Sequence, residues 1–335
     1  MENKTNATPL VSIKNVKKYF PIGGGLLKKS TSAVHAVDDV TLDIMAGQTL
    51  GVVGESGCGK TTLGRLALKL LPKTAGEIYF KGKDIYKFNG EETKKFRTEA
   101  QLIFQDSFSS FDHRNKIGEI IGEPLKLHGV AKGSELEDRV AELLRTVGLK
   151  PTLMEEYPHS LAAGQKQCIG IARSIALHPN FIVADEPISA LDVSVRAMVL
   201  NLLKDLQDSQ DLTYMFISHD IRVVRWLSSH IAVMYVGKLV EYGETEEIFH
   251  HRLHPYTEAL LCAVPIEDPN LRNIKREILL GEVPSPVDPP PGCRFAARCK
   301  LAKERCFKED PPLVEKRPGH FVACFEEFEG ESEIS

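Results

Sequence analysis

The octad Gly54-Glu55-Ser56-Gly57-Cys58-Gly59-Lys60-Thr61 fits the spacing G-x-x-x-x-G-K-[ST], and its flanks decide what it means. Before it, the apolar run Leu50 to Val53 reads as a buried strand; after it, Leu63, Leu66, Ala67 and Leu70 mark one face of a helix. Strand, glycine-rich turn and helix in that order predict a nucleotide-binding α/β sheet. Backbone N–H groups of such a turn surround phosphates, and the helix adds the positive end of its dipole. Lys60 supplies a point charge for the β- and γ-phosphates, and Thr61 a hydroxyl for Mg²⁺. Many NTPase families share this much.

Phe181 to Ala184 is an apolar strand ending in Asp185-Glu186, a carboxylate pair too costly to bury without a cation or proton to meet it. Asp185 fits the group that holds Mg²⁺ through water, and Glu186 the group that orients or deprotonates the attacking water. Ser218-His219-Asp220 closes another apolar strand, where His219 has the chemistry of a γ-phosphate sensor. Gln105, after Leu102-Ile103-Phe104, lies at a similar strand exit with an amide oxygen suited to Mg²⁺ and the attacking water. Read alone, each also fits an ordinary surface side chain. Downstream of a phosphate loop the catalytic reading takes precedence.

Val11 to Phe20 and Ala33 to Ile44 read as an antiparallel β entry, joined by the glycine-rich, basic loop Gly23 to Lys29. Between Ser110 and Pro158 the apolar spacing is helical, notably Val140, Leu143, Leu144 and Val147, which predicts an inserted helical subdomain. A helix through Val195 to Leu206 then separates the strands Phe181 to Ala184 and Tyr214 to Ser218, so the α/β alternation resumes. Beyond about His250 the chain turns proline-rich and four cysteines follow, predicting a small appended module.

A net charge of -4 disfavours a nucleic-acid surface, which needs a basic stripe. No apolar run approaches the roughly 20 residues that cross a bilayer, and Met1 to Pro9 lacks a signal-peptide layout, so a soluble, internal chain is expected. The seven cysteines then read as thiols or metal ligands rather than disulfides. Cys58 lies inside the loop, where its side chain can point outward while its backbone works, and neither Cys58 nor Cys168 is a catalytic candidate. The charge runs Glu91 to Lys95 and Glu326 to Glu333 read as solvated segments.

In order and spacing, the phosphate loop, Gln105, Leu161-Ala162-Ala163-Gly164-Gln165, Asp185-Glu186, Ser189-Ala190-Leu191-Asp192 and His219 resemble the nucleotide-binding subunits of ABC transporters over essentially the whole length. Gly51 to Lys60, Thr62-Leu63-Gly64-Arg65, His254-Pro255-Tyr256-Thr257 and the cysteine-bearing tail are similar to the oligopeptide/dipeptide permease ATPases, especially the second of their paired subunits. The resemblance implies a P-loop NTPase (ABC ATPase) fold with an antiparallel β subdomain, a helical subdomain inserted at about 111–168 and a small cysteine-rich C-terminal module. The ATPase domain would span 8–255 and the extension 256–335. Nucleotide contacts would extend to Phe20 or the adjacent Tyr19 as the adenine-stacking aromatic, and to Thr62 and Asp192.

The same resemblance implies ATP and Mg²⁺ as cofactors and a paralogous ATPase closing head to tail on this chain. Two membrane-embedded permease subunits, an extracellular or periplasmic peptide-binding protein and a place on the cytoplasmic membrane face complete the assembly. The usual L-S-G-G-Q signature here reads Leu161-Ala162-Ala163-Gly164-Gln165, without a hydroxyl and a glycine. In that family the signature completes the partner's ATP site, so an unequal pair of sites is expected: Ala162 removes a ligand, and Ala163 restricts the backbone. Asp106 to Arg114 also departs from the family wording D-P-Y-S-S-L-N-P-R, at the segment expected to pass movement to a permease helix.

Cys293, Cys299, Cys306 and Cys324 form C-x5-C-x6-C-x17-C, a set able to hold one iron–sulfur cluster or one Zn²⁺, or to remain free thiols. The resemblance favours a [4Fe-4S] cluster. Two other classes stay open: an ABC-type ATPase acting on ribosomes or nucleic acid, and a regulatory subunit that holds ATP with little hydrolysis. Nickel chelates or oligosaccharides are alternative cargoes.

Overall fold

The computed structural model describes residues 8–23, 32–263, 281–326, 328 and 330–331. The basic segment 24–29 and positions 327, 329, 332 and 333 of the acidic tail therefore lie outside the described residues. The chain divides into two compact units, one drawn from Met1–Ile44, Thr49–Tyr86 and Ser218–Ser335, the other from Met45–Gln48 and Lys87–Ile217.

In the first unit, β1 (Val11–Ile22) pairs antiparallel with β2 (Ser32–Ile44), burying Ile13, Val16, Val37, Val40 and Leu42. The fully buried β3 (Thr49–Val53) runs into the phosphate loop, and α1 (Lys60–Ala67) follows it. Leu70, expected on the face of that helix, lies beyond its end and is half exposed, because Lys69 takes a left-handed backbone (φ 54°) that stops the helical repeat. β4 (Ala75–Phe80) pairs with β1, and the short β5 (Lys83–Asp84) completes a sheet of order β2-β1-β4-β5.

The second unit opens with α2 (Gly90–Glu99), whose first turns carry the run Glu91 to Lys95. Asn89 caps it by accepting from the Glu92 N–H at 2.9 Å, while the Glu92 carboxylate accepts from the Asn89 N–H. β6 (Ala100–Ile103) leads into α3 (Ile117–Leu127), α4 (Ser134–Thr146) and α5 (Ala163–Ile175), which pack on one another. β7 (Phe181–Asp185), α6 (Val193–Gln210) and β8 (Thr213–Ile217) follow. The strands β6, β7 and β8 are parallel, with Ile103 opposite Ala184 and Asp185 opposite Ile217. Their C-terminal ends therefore lie side by side, where parallel α/β sheets bind ligands.

The chain then returns to the first unit through α7 (Ile221–Leu227), β9 (His230–Tyr235) and β10 (Lys238–Glu244). β9 is parallel to β3, from Leu50 opposite His230 to Val53 opposite Val233, and antiparallel to β10. Gly51 admits α7 against β3: a Cβ there would lie 2.2 Å from Cγ1 of Val224. After α8 (Thr245–His250), β11 (His251–Arg252) and α9 (Pro255–Cys262), the strands β12 (Val314–Arg317) and β13 (His320–Val322) add to β10 in the order β12-β13-β10. β14 (Gly330–Glu331) pairs with β11. The cysteine-bearing segment expected as an appended module is thus built onto the sheet that carries the phosphate loop.

Candidate ATP site

Two glycines of the loop are required by what surrounds them. Gly54 (φ 148°) and Gly59 (φ 106°) have left-handed backbones, and a Cβ would lie 2.1 Å from the Met234 carbonyl oxygen or 2.0 Å from that of Ala36. The loop is therefore pressed between β9 and β2. Lys60 is buried at 5% exposure and donates to the Gly54 and Glu55 carbonyl oxygens at 2.7 and 3.0 Å, which places its charge inside the loop's curve. No side chain caps the start of α1, so its N-terminus offers an anion N–H groups and a positive dipole end. Those features fit a nucleotide's phosphates.

Cys58 does not point outward. Its side chain is buried at 3% exposure, with Sγ 3.8 Å from Lys60 Nζ. Burial pushes its thiol up and Lys60 only partly offsets this, so it is a packing residue and not a nucleophile. His219 follows β8 and is exposed, in the same unit as the loop, while Asp220 caps α7 by accepting from the Arg222 N–H.

In the second unit, Asp185 is buried at the end of β7 and Gln105 follows β6. The Gln105 side-chain amide donates to the Glu186 carboxylate at 3.3 Å, so parallel pairing of β6 and β7 brings together two of the predicted catalytic groups. Glu186 has a left-handed backbone (φ 47°), with its N–H on the Ile217 carbonyl oxygen at 3.0 Å and its own carbonyl accepting from the Ser189 hydroxyl. Nothing in the D-E dipeptide signalled that backbone. Asp192 caps α6 by accepting from the Val195 N–H and the Ser194 hydroxyl, bonds that hold its carboxyl below its ordinary range.

Leu161 is buried and Ala162 is the exposed residue before α5, its N–H donating to Gln165 Oε1 at 3.1 Å. Ala162 thus lacks the hydroxyl that usually caps a helix here. Ala163, expected to restrict the backbone where glycine could take unusual angles, is the first residue of a right-handed helix, outside the left-handed region where glycine would matter. Gly164 is the position that needs glycine, since a Cβ would lie 2.5 Å from Cγ1 of Val195 on α6.

Two families match this chain: ABC transporter over residues 37–189, and oligopeptide/dipeptide transporter, C-terminal region, over 240–306. It is 46% identical over 322 residues to the oligopeptide transport ATP-binding protein AppF of Bacillus subtilis (strain 168), covering 95% of this chain and 98% of that protein. Against the dipeptide transport ATP-binding protein DppF of Haemophilus influenzae it is 46% identical over 319 residues, 95% of this chain and 97% of that one. The chain belongs to the oligopeptide/dipeptide family of ABC transporter ATPases. In structure it is similar to the ATP-binding cassette MJ0796, a dimer in a post-hydrolysis state bound to ADP and Pi. There the TM-score is 0.63 at 28% identity, over 70% of this chain and 98% of that one.

An ABC ATPase of this family is an enzyme that hydrolyses ATP, and two further parts of it bear on the site. Near the β entry, the Tyr19 hydroxyl donates to Asp38 at 2.5 Å and its ring stacks on His35 at 4.0 Å. Phe20 is half-buried, with Lys18 Nζ 4.7 Å from its ring centre. Tyr19 is therefore committed to internal contacts.

Cys293, Cys299, Cys306 and Cys324 line one small cavity with His254, Phe295 and Phe325. Burial raises the Cys293 thiol to about 11 and also raises Cys299 and Cys324. Among the described residues, however, no group of three or more His, Cys, Asp or Glu side chains is placed to hold a metal ion. The four cysteines thus share a cavity without being drawn into a ready-made ligand set. Sequence reasoning placed Tyr256 in the stretch His254-Pro255-Tyr256-Thr257 without giving it a role, and missed Arg294 and Arg298; the side chains of all three reach the loop or its supports.

Proposed function

We propose that this chain hydrolyses ATP to drive an importer of oligopeptides or dipeptides, paired with a paralogous ATPase on two permease subunits at the cytoplasmic membrane face. A substrate-binding protein outside the membrane delivers the cargo. The relatives named for oligopeptide and dipeptide transport, alike over 95% of the chain, support the cargo and the partners. The absence of a membrane-crossing helix among the described residues is consistent with a peripheral subunit.

The proposed chemistry uses this chain's own side chains. The backbone of Gly54 to Thr62 and the Lys60 ammonium hold the β- and γ-phosphates, and Phe20 stacks on the base. Mg²⁺, held by Thr61 and by Asp185 and Gln105, would neutralise charge on the phosphate oxygens. Glu186 takes a proton from the attacking water as its oxygen bonds the γ-phosphorus and the bond to the ADP oxygen breaks, with His219 donating to the γ-phosphate. Leu161 to Gln165 and Asp192 face the partner's nucleotide.

The observation carrying the unequal-pair reading is Ala162 at the N-cap of α5, where the side chain has no hydroxyl to offer. The assembled transporter carrying Glu186→Gln should lose nearly all ATP turnover while still binding ATP. Ala162→Ser should leave this chain's own site unchanged and raise turnover at the partner's site. Full activity in Glu186→Gln would overturn the assignment; a transporter whose uptake follows nickel chelates or oligosaccharides instead of peptides would overturn the cargo.

An iron–sulfur cluster on Cys293, Cys299, Cys306 and Cys324 is supported only by their common cavity. Anaerobically purified protein with bound iron, acid-labile sulfide and a visible charge-transfer band is the expected result. Zinc alone, or four titratable thiols, would refute it.

A further inference from the structure

The second residue of the phosphate loop is held by the C-terminal part of the chain. The Glu55 carboxylate accepts two hydrogen bonds from Arg298, Nη1 to Oε2 at 2.9 Å and Nη2 to Oε1 at 3.2 Å. The arginine side chain is 6% exposed and the glutamate 26%, so the pair is largely withdrawn from water. Arg298 is itself fixed, because Nη1 also donates to the Tyr235 hydroxyl at 3.1 Å at the end of β9. The Glu55 backbone is held from another direction: its N–H donates to the Tyr256 hydroxyl on α9 at 2.9 Å. Behind both contacts the rings of Tyr235, Tyr256 and Phe295 pack together, with centres 4.6 to 5.5 Å apart.

Glu55 is the residue whose carbonyl, with that of Gly54, receives the Lys60 ammonium. Fixing its side chain and its N–H therefore fixes the peptide units that aim Lys60. A planar guanidinium holding both oxygens sets the direction of a carboxylate as well as its position, which a single contact does not. The turn beneath the loop is gripped in the same way. Arg294 donates from Nη1 to the Val236 carbonyl oxygen at 2.9 Å, and the next residue, Gly237, donates to the Cys58 carbonyl oxygen.

We propose that Arg298 and Tyr256 are positioning residues for ATP binding, holding the phosphate loop in its binding shape through Glu55. The proposal rests on the reading of Gly54 to Thr61 as the phosphate-binding loop, and adds that the C-terminal region is a working part of that site. Neither residue touches nucleotide in this account. Their loss loosens the loop before ATP arrives, so the penalty falls on binding.

The test uses the full chain for MgATP titration and the assembled transporter for kinetics. Arg298→Ala should weaken MgATP binding about tenfold and raise KM in parallel, with kcat at saturating MgATP changed less than about twofold. Arg298→Lys restores the charge without the fork and should recover only part of the loss. Tyr256→Phe should weaken binding by a smaller factor, about threefold. Glu55→Gln and Arg298→Ala should be non-additive, the double variant binding no worse than the weaker single one. Unchanged affinity in Arg298→Ala, full additivity with Glu55→Gln, or a fall in kcat with KM constant would each overturn the proposal. If Arg298→Ala does not fold, Arg298→Lys and Glu55→Gln read the same contact. Lys60→Ala serves as the reference: wild-type affinity there would sink the phosphate-loop reading itself, whichever way Arg298 behaves.

Discussion

Gly57 and Gly59 stand two residues apart in one loop and are constrained for different reasons. Gly57 (φ 80°) has nothing within 4 Å of where a Cβ would stand, so alanine there meets only the cost of a left-handed backbone, about 1–2 kcal/mol. Gly59 has the unusual backbone and also the Ala36 carbonyl oxygen 2.0 Å from that Cβ, an overlap that β2 cannot relieve without moving. Gly59→Ala should therefore lower the midpoint of thermal unfolding clearly more than Gly57→Ala, and should lose MgATP binding through displacement of the Lys60 N–H. Equal destabilisation by the two would show that β2 yields. At this scale the sequence was a good guide to where residues of a given type fall: Asp185 and Glu186 at the end of β7, Gln105 just past β6, and Lys60 where the loop turns into α1. It misled where backbone angle decides, as at Ala163, because residue identity restricts φ without setting it.

Elements were legible when their apolar pattern was local. The continuous runs of β3 and β7 are fully buried, and the 3.6-residue spacing of Val140 and Leu144 gives the buried side of α4. β13 was not legible: His320 to Val322 is three residues long, and what makes it a strand is β10, nearly eighty residues earlier. The joint is made by Glu241 on β10, wholly buried. Its carboxylate accepts from the Leu253 N–H at 2.7 Å, the His254 N–H at 3.1 Å and His320 Nε2 at 2.8 Å. One side chain thus satisfies the approach to α9 and ties down β13. Glu241→Ala strands two buried N–H groups and one imidazole without an acceptor, for a cost of about 3–5 kcal/mol. Urea unfolding should show an unfolding free energy lowered by that amount and a correspondingly lower midpoint, with the β12-β13 segment losing hydrogen-exchange protection first. Loss of protection spread evenly over the chain would argue against Glu241 as the local tie.

At the scale of the whole chain, Asp38 gathers segments that sequence order keeps far apart. Its carboxylate accepts from the Tyr19 hydroxyl on β1, lies 3.3 Å from Lys238 Nζ on β10, and is 2.6 Å from Arg294 Nη2 in the C-terminal segment. Lys17 and His35 stand further out, at 3.8 and 3.9 Å. Burial alone would raise this carboxyl, but the Tyr19 hydroxyl and the Lys238 and Arg294 cations more than offset it and hold it below its ordinary value. A carboxyl depressed on folding adds stability that is fully present above its unfolded value of about 4 and disappears as pH falls through the folded value. Wild-type protein should therefore lose stability below about pH 4 with a contribution from this group that Asp38→Asn lacks. At neutral pH the same substitution leaves Arg294 and Lys238 facing a neutral amide and should cost about 2–4 kcal/mol. Because Arg294 also holds the turn under Cys58, Asp38→Asn should weaken MgATP binding as well, by less than Arg298→Ala does. An Asp38→Asn protein with the wild-type acid slope would place the acid-labile joint elsewhere; one with wild-type stability at neutral pH would mean that these segments are held together by their apolar contacts alone.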